Sequence, residues 1–271
     1  MRIRVTHETT FAFAGPARAL HLALRMTPRS FESQYVLKWR VGADIDAALR
    51  PSEDAFGSVV HTLSWHKPVE RLTASAVGEV ETTDAVGVVR GAVETLPPTM
   101  FLRASSLAQA NKAMKQFAEA AGQGASDPLD RLHRLMEALH QEIAYAPGFG
   151  GDASASEIFA LRKGGAADFA HVFVACARLA EIPARVVTGY RIADAAEAGT
   201  EMFAWAEALS PGLGWVAFDA VHNLCANDEY VRVAVGLDAK DAAPFRIWHN
   251  AGETAVTARL RVEQAAAQGQ N

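Results

Sequence analysis

The chain changes its hydrophobic period at a double proline, Leu96-Pro97-Pro98-Thr99, and that change limits what it can fold into. Upstream, apolar residues recur at every second position; in the segments that follow directly downstream they recur at every third or fourth. Two adjacent prolines remove two backbone donors and fix two φ angles, so neither a strand nor a helix runs through them. Two units of different secondary structure are therefore expected to meet near residue 96. The 271 residues are enough chain to give both a core.

In the first unit Ile3, Val5, His7, Thr9, Phe11 and Phe13 share one side of a period-2 strand bounded by Gly15-Pro16. Tyr35, Leu37, Trp39 and Val41 alternate in the same way. Val59 to Trp65 follows a turn at Gly57, and Val77-Gly78-Glu79-Val80 reads as a further strand. Short strands at this spacing predict a sandwich-like pair of sheets over residues 1–95.

The second unit begins with helices. Leu107, Ala110, Met114, Phe117, Ala118 and Ala121 fall at helical spacing, closed by Gly122 and Gly124. Asp127 is placed to cap a second helix with Pro128 at its first position, and Leu129, Leu132, Leu135, Met136, Leu139 and Ile143 form its stripe. Ser154 and Ser156 precede Glu157-Ile158-Phe159, as caps of a short helix would. Phe169, Val172, Phe173, Cys176 and Ala180 then mark a helix packed inside a core. Gly164-Gly165 permits a tight turn before it and puts Ala166 at its N-terminus. After Ile182-Pro183 the chain reads as antiparallel strands: Val186 to Tyr190, Met202 to Leu209 and Trp215 to Phe218. Pro211-Gly212-Leu213-Gly214 turns between the last two. The fold class expected is α+β.

Net charge is −5 with both signs interspersed, which favours neither nucleic acid nor an anionic membrane as partner. No apolar run reaches the ~18 residues of a membrane span. Cys176 and Cys225 have neither disulfide nor metal-ligand spacing, which fits a reduced, cytoplasmic protein. HExxH, P-loop, EF-hand and paired-cysteine zinc patterns are all missing, so neither metal nor cofactor is expected.

The segment Gly164-Gly165-Ala166-Ala167-Asp168-Phe169-Ala170-His171 resembles the Gly-Val-Cys-Gln-Asp-Phe-Ala-His nucleophile motif of the bacterial transglutaminase-like family of papain-type thiol enzymes. Met202-Phe203-Ala204-Trp205-Ala206-Glu207 is similar to its Ser-His-Ala-Trp-Val-Glu, and Phe218-Asp219-Ala220 to its Phe-Asp-Pro. Upstream, His7-Glu8-Thr9, Leu24 to Arg29, Gln34 and Asp54-Ala55-Phe56-Gly57 fall in the order of the N-terminal domain that accompanies the family. The resemblance implies a β-sandwich-like domain over 1–95 and a papain-like transglutaminase core over 100–262, followed by a polar tail over 263–271. In that core a central helix packs on an antiparallel sheet.

By the same resemblance Ala166 stands at the cysteine position and Phe203 at the histidine position, while Asp219 matches the third member. A Cys–His–Asp mechanism needs a thiolate, a base to form it and a group to orient the base. None of the catalytic set is intact beyond the vestigial positions Ala166, Phe203 and Asp219. Ala167 and Ala220 depart from the family pattern too, which fits natural loss better than one deliberate edit. Asp219, with no imidazole to orient, is expected to be a structural carboxylate at a strand end. Asp168, Trp205 and His222 are expected to line the cleft, with Asp168 also capping the helix and His171 packing it. His222 is either a solvated loop residue or an imidazole whose role has migrated. Cys176 lies ten residues, ~15 Å, along the helix from Ala166 and belongs to the core. Cys225 is placed in a loop.

These readings predict an inactive transglutaminase-like scaffold that binds a peptide or protein partner. The resemblance adds an active paralogue or a peptide-modifying enzyme as such a partner. The alternative is an amide hydrolase or transferase working through Asp219, His222 or a water.

Overall fold

The computed structural model describes residues 1–149, 151–193 and 201–265. Its first strands are β1 (Arg2–Ala17), β2 (Leu20–Thr27), β3 (Gln34–Ala43), β4 (Arg50–Glu53), β5 (Val59–Trp65), β6 (Val69–Thr82) and β7 (Val88–Val89). A single 3-10 turn at Pro98–Leu102 leads to helices α1 (Lys112–Ala121) and α2 (Pro128–Glu142). The short β8 (Ala144–Tyr145) and β9 (Lys163–Gly164) bracket α3 (Ala155–Leu161), and α4 (Ala166–Leu179) follows. The chain closes with β10 (Ala184–Arg191), β11 (Phe203–Ser210), β12 (Gly214–Asp219), β13 (Leu224–Cys225), β14 (Tyr230–Gly236), β15 (Phe245–His249) and β16 (Thr254–Gln264).

Two four-stranded sheets, ordered β16-β1-β6-β3 and β15-β2-β5-β4, make the sandwich. The inward row of β1 is the one its alternation predicts: Ile3, Val5, His7, Thr9 and Phe11 are all buried. Gly15-Pro16 falls inside β1 rather than after it, where the register with β6 slips between Ala12 and Ala17. In β3 strict alternation fails. The register against β6 shifts between Val36 and Lys38, so Trp39 and Val41 turn to the core while Tyr35 stays exposed. One extra residue in a strand reverses every side chain beyond it.

The domain limits differ from those expected. β15 pairs with β2, and β16 pairs with β1 from Ile3↔Gln264 to Phe13↔Thr254, so residues 245–264 complete the sandwich instead of extending the core to 262. Glu263 and Gln264 are strand residues, and the Ala265 N–H donates to the Arg2 carbonyl at 2.8 Å, so the tail does not begin at 263. The remainder of that expected tail lies outside the described residues. The core is thus inserted between two parts of one sandwich. Gln34 crosses the seam, accepting from the Arg232 N–H at 2.7 Å and donating to the Arg232 carbonyl at 2.9 Å.

The core sheet runs β13-β12-β11-β10-β14, with β7 also pairing to β12. α4 lies against it: Phe169, Val172, Phe173 and Cys176 share a buried cluster with Val186, Ala206, Ala208 and Phe218. Phe173 stacks on Phe218 with ring centroids 5.1 Å apart. Each such side chain contributes about 1.5–3 kcal/mol over exposure. α2 is capped as its sequence dictates, by Asp127 accepting from the Asp130 N–H at 2.9 Å with Pro128 at its first position. α1 is shorter than its apolar stripe implies. It starts after Asn111, whose side chain accepts from the Met114 N–H, so Leu107 and Ala110 precede it.

Candidate functional site

α4 starts at Ala166 with Gly165 as its N-cap. Gly165 has an ordinary extended backbone; what its position requires is space, since a Cβ there would meet the Phe149 carbonyl at 2.7 Å. Asp168, at the third helical position, accepts from the Gly165 N–H at 2.9 Å and fixes this turn. Asp168 is buried, which raises its carboxyl pKa, and the Gly165 hydrogen bond works against that rise.

A cavity of about 650 Å³ opens over the helix start. Ala166 and Phe203 both line it, together with Tyr145, Phe149, Asp168 and Arg191, and Leu260 and Val262 of β16 form part of its wall. Its volume is in the range of ligand sites. The helix start and the first residue of β11 therefore meet in one concavity, as the motif spacing implies.

Asp219 is 1% exposed and lies at the end of β12. One carboxylate oxygen accepts from the Val221 N–H (2.9 Å) and the His222 N–H (3.2 Å). The other accepts from the Tyr230 hydroxyl at 2.6 Å and lies 2.6 Å from His222 Nδ1. Burial first, and then the Asp219 charge, hold the Tyr230 phenol pKa above its ordinary value. Asp219 thus does orient an imidazole, contrary to expectation, and His222 is not a solvated loop residue. The His222 ring sits 5.5 Å from Phe203 and 6.3 Å from Tyr145, both of which line the cavity, but His222 and Asp219, expected there, are not themselves among its lining residues. Arg191 lies over the Phe203 and Tyr230 rings at 5.7 and 5.8 Å.

Trp205 is not a cleft residue. Alternation along β11 sends Ala206 and Ala208 toward α4 and Trp205 to the far side, where it packs with Val187, Trp215 and Tyr230. Glu207, on that far side too, is fully buried between Arg185 and Arg232, each at 2.7 Å. Burial would raise its pKa, but Arg232 and Arg185 outweigh this and hold it at about 2. Arg185 also binds Glu94 and lies 3.8 Å over the Trp215 ring. Sequence reasoning missed this ion group, although a lone carboxylate in an otherwise apolar strand signals that a cation must be near. It missed Tyr230 and Arg191 as well, whose partners are distant in sequence.

The remaining candidates are structural. His171 Nε2 accepts from the Ala239 N–H at 3.0 Å, and burial lowers its pKa to about 4. Burial pushes the Cys176 thiol up to about 12 and the Cys225 thiol up to about 11; Cys225 sits on β13 beside Phe218. Ser154 and Glu157 cap α3. Among the described residues no group of three His, Cys, Asp or Glu side chains could hold a metal ion. No helix among them is long and apolar enough to cross a membrane.

A helix N-terminus aimed into a cleft against an antiparallel sheet, with a buried carboxylate at the end of a neighbouring strand, defines the papain-like α+β class. The transglutaminase-like superfamily pattern matches residues 115–220, and that of the bacterial transglutaminase-like N-terminal region matches residues 3–81. The chain belongs to the transglutaminase-like superfamily, with the bacterial N-terminal region in front of the core. It is 28% identical over 276 residues to an uncharacterized protein, ML0607, of Mycobacterium leprae (strain TN), covering 93% of this chain and 95% of that one. A candidate cysteine protease from Cytophaga hutchinsonii has the same fold, with a TM-score of 0.80 at 22% identity over 100% of this chain and 92% of that one. The periplasmic domain of TgpA from Pseudomonas aeruginosa aligns at 18% identity over 79% of this chain and 87% of that one. Its TM-score is 0.39.

Proposed function

We propose that this protein is a transglutaminase-like scaffold that no longer performs thiol chemistry and uses its cleft to bind a peptide or a protein partner. The observation that carries the reading is the meeting of Ala166 and Phe203 in one open cavity of about 650 Å³. The position fit for a nucleophile holds a methyl group, the position facing it holds a phenyl ring, and the concavity between them is kept. Cys176 and Cys225 offer no substitute, because burial holds both thiols far above the pKa of a reactive cysteine. Removing triad members from well-studied hydrolases leaves ~10³–10⁴-fold acceleration over water, too little for an efficient peptidase. Active paralogues and peptide-modifying enzymes are the partners we favour, and the cytoplasm is the compartment, in keeping with two cysteines that form no disulfide.

The test compares the full chain with Ala166→Trp, which fills the cavity from the helix start. Affinity capture from the cells that make the protein should retain a stoichiometric partner on the native chain and lose it on the variant. Equal retention by both removes the cleft from the function. The second reading, an amide hydrolase acting through water, is favoured by one observation, the Asp219–His222 pair, and turnover of fluorogenic peptide amides by the native chain would establish it.

A further inference from the structure

We infer that the open edge of β16 is a docking strand, and that the occupant of the cleft is an extended peptide segment that pairs with it beside Leu260 and Val262. The inference rests on reading the cavity at Ala166 as a retained binding site and adds the element that holds the occupant. Two hydrogen bonds at the ends of β16 fix the direction of its backbone groups. The Ala265 N–H donates to the Arg2 carbonyl at 2.8 Å, and the Ala14 N–H donates to the Glu253 carbonyl at 3.0 Å. Both belong to one register, which runs without a shift from Ile3↔Gln264 to Phe13↔Thr254. In an antiparallel pair alternate residues turn both backbone groups to the partner, and the residues between them turn both away. Odd-numbered residues of β16 therefore bond to β1, while even-numbered ones, Leu260 and Val262 among them, hold N–H and C=O toward the other side. Among the described residues β16 pairs with β1 alone, so these groups lie unpaired at the sheet edge. The side chains of the same two residues form part of the cavity wall.

β16 also lacks the devices that keep the other edges of the sandwich from pairing. A sheet edge is blunted by shortness, by proline or by an irregular register. β4 has four residues and contains Pro51, β15 has five, and the register of β3 shifts between Val36 and Lys38. β16 has eleven residues, no proline and an unbroken register. What lies beside it selects the occupant. The cavity of about 650 Å³ that Leu260 and Val262 wall is also lined by Ala166, Met202 and Phe203. That volume is in the range of ligand sites, so it admits a few residues of a single strand. A second copy of the chain would bring a sheet with its own covering sheet ~10 Å behind it, too thick for the space. A peptide is also the ligand whose own N–H and C=O alternate as the edge demands.

The probe is a library of short random peptides displayed on phage and selected on the immobilised full chain, and the enriched sequence is then synthesised. Val262→Pro removes one edge N–H and keeps an apolar side chain. Because that N–H points away from β1, the ladder between β1 and β16 keeps its bonds. Val256→Pro makes the same change six residues along the same edge, ~20 Å from Val262, and controls for the effect of proline on the strand. A second measurement leaves the protein untouched. The peptide is N-methylated at every second amide, in two versions offset by one position, since only one of the two alternating sets faces β16.

Val262→Pro should weaken binding of the selected peptide at least about fivefold, and Val256→Pro should leave it within about twofold. One N-methylated peptide should bind as the parent does and the other should lose binding. Equal effects of the two proline variants, or equal affinities of the two methylated peptides, overturn the inference. Should Val262→Pro fail to fold, the methylated pair decides alone. Sedimentation of the native chain as a dimer that Val262→Pro dissociates would give the edge to a second copy and overturns it too. A peptide that Val262→Pro retains and Ala166→Trp loses removes the edge from the function and leaves the cleft reading standing. Selection of no peptide overturns the inference and leaves the affinity capture above to judge the cleft.

Discussion

Asp219 Oδ2 lies 2.6 Å from His222 Nδ1, across a turn that the other oxygen of the same carboxylate holds closed. The Tyr230 hydroxyl donates to the same oxygen from β14, so one buried carboxylate ties together the end of β12, the turn and the far edge of the sheet. A carboxylate loaded in this way is part of the fold as well as of the cleft.

Replacing Asp219 with Asn keeps the shape but removes the charge that strengthens these hydrogen bonds. The loss should be about 1.5–3 kcal/mol, read as a lower urea midpoint with unchanged slope. Tyr230→Phe removes only one of the contacts and should cost less. A neutral Asp219→Asn would mean that the network is not closed in solution.

Glu207→Gln strips the counter-charge from Arg185 and Arg232 and should cost about 3–5 kcal/mol, the range for breaking a buried pair. The carboxyl pKa is depressed from 4.5 to about 2 in the fold. Its contribution is therefore complete above about pH 4.5 and is lost as pH falls toward 2. The measurement is chemical denaturation at pH 7, 4 and 2.5, where the gap between native and variant should narrow in the acid samples.

Two buried histidines act at a higher pH. His7, between Thr9 and Tyr190, and His171, on the Ala239 N–H, both have pKa values lowered by burial from 6.5 to about 4. Unfolding lets both take up protons, so stability should be constant above pH 6.5 and fall as pH drops toward 4. The slope should be at most about 1.4 kcal/mol per pH unit for each ring. A flat profile between pH 7 and 5 would show that neither ring is buried neutral.

Iodoacetamide should label the native protein slowly at both Cys176 and Cys225, since burial has raised both thiols far above neutrality. Mass spectrometry after brief treatment at pH 7.5 should find unmodified protein, with full labelling only in denaturant. Rapid labelling of Cys225 in the native state would show that β13 opens easily.

Phe203→His returns an imidazole to β11, but the carboxylate it would need already binds His222 and Tyr230. The phenyl ring is half-buried against His222 and Tyr230, so its loss should cost about 1–2 kcal/mol. Differential scanning calorimetry checks this, and a raised melting temperature would contradict it.

Local rules carried much of the fold because they act within a few residues. The α2 cap at Asp127-Pro128, the buried row from Ile3 to Phe11 and the start of α4 at Ala166 all depend on near neighbours. The failures came from contacts that cross the chain. Nothing near Thr254–Gln264 states that its partner is Ile3–Phe13, and the slip at Val36/Lys38 is set by the facing strand. The motif spacing brought Ala166 and Phe203 together correctly. It placed Trp205 in the cleft because the motif does not show that, of Phe203 and Trp205 two residues apart on β11, only Phe203 at the strand end reaches the cavity. His222 was visible as a residue near Asp219, but the hydrogen bond between them depends on a turn that periodicity does not describe.

The pairing of β1 with β16 also sets an order of events in time. β1 is made before the other described strands, and the partner that covers one of its sides is the last of them. While the helices and the core sheet are being synthesised, β1 carries an open row of backbone donors and acceptors along that side. Such a row invites pairing with other chains. On the outward face of β1, Arg2 and Arg4 both pair with Glu79 of β6, which fastens the side of β1 opposite that open row. The β6 partner, which reaches β1 far earlier in the sequence, can hold one side of it before residues 254–264 arrive at the other.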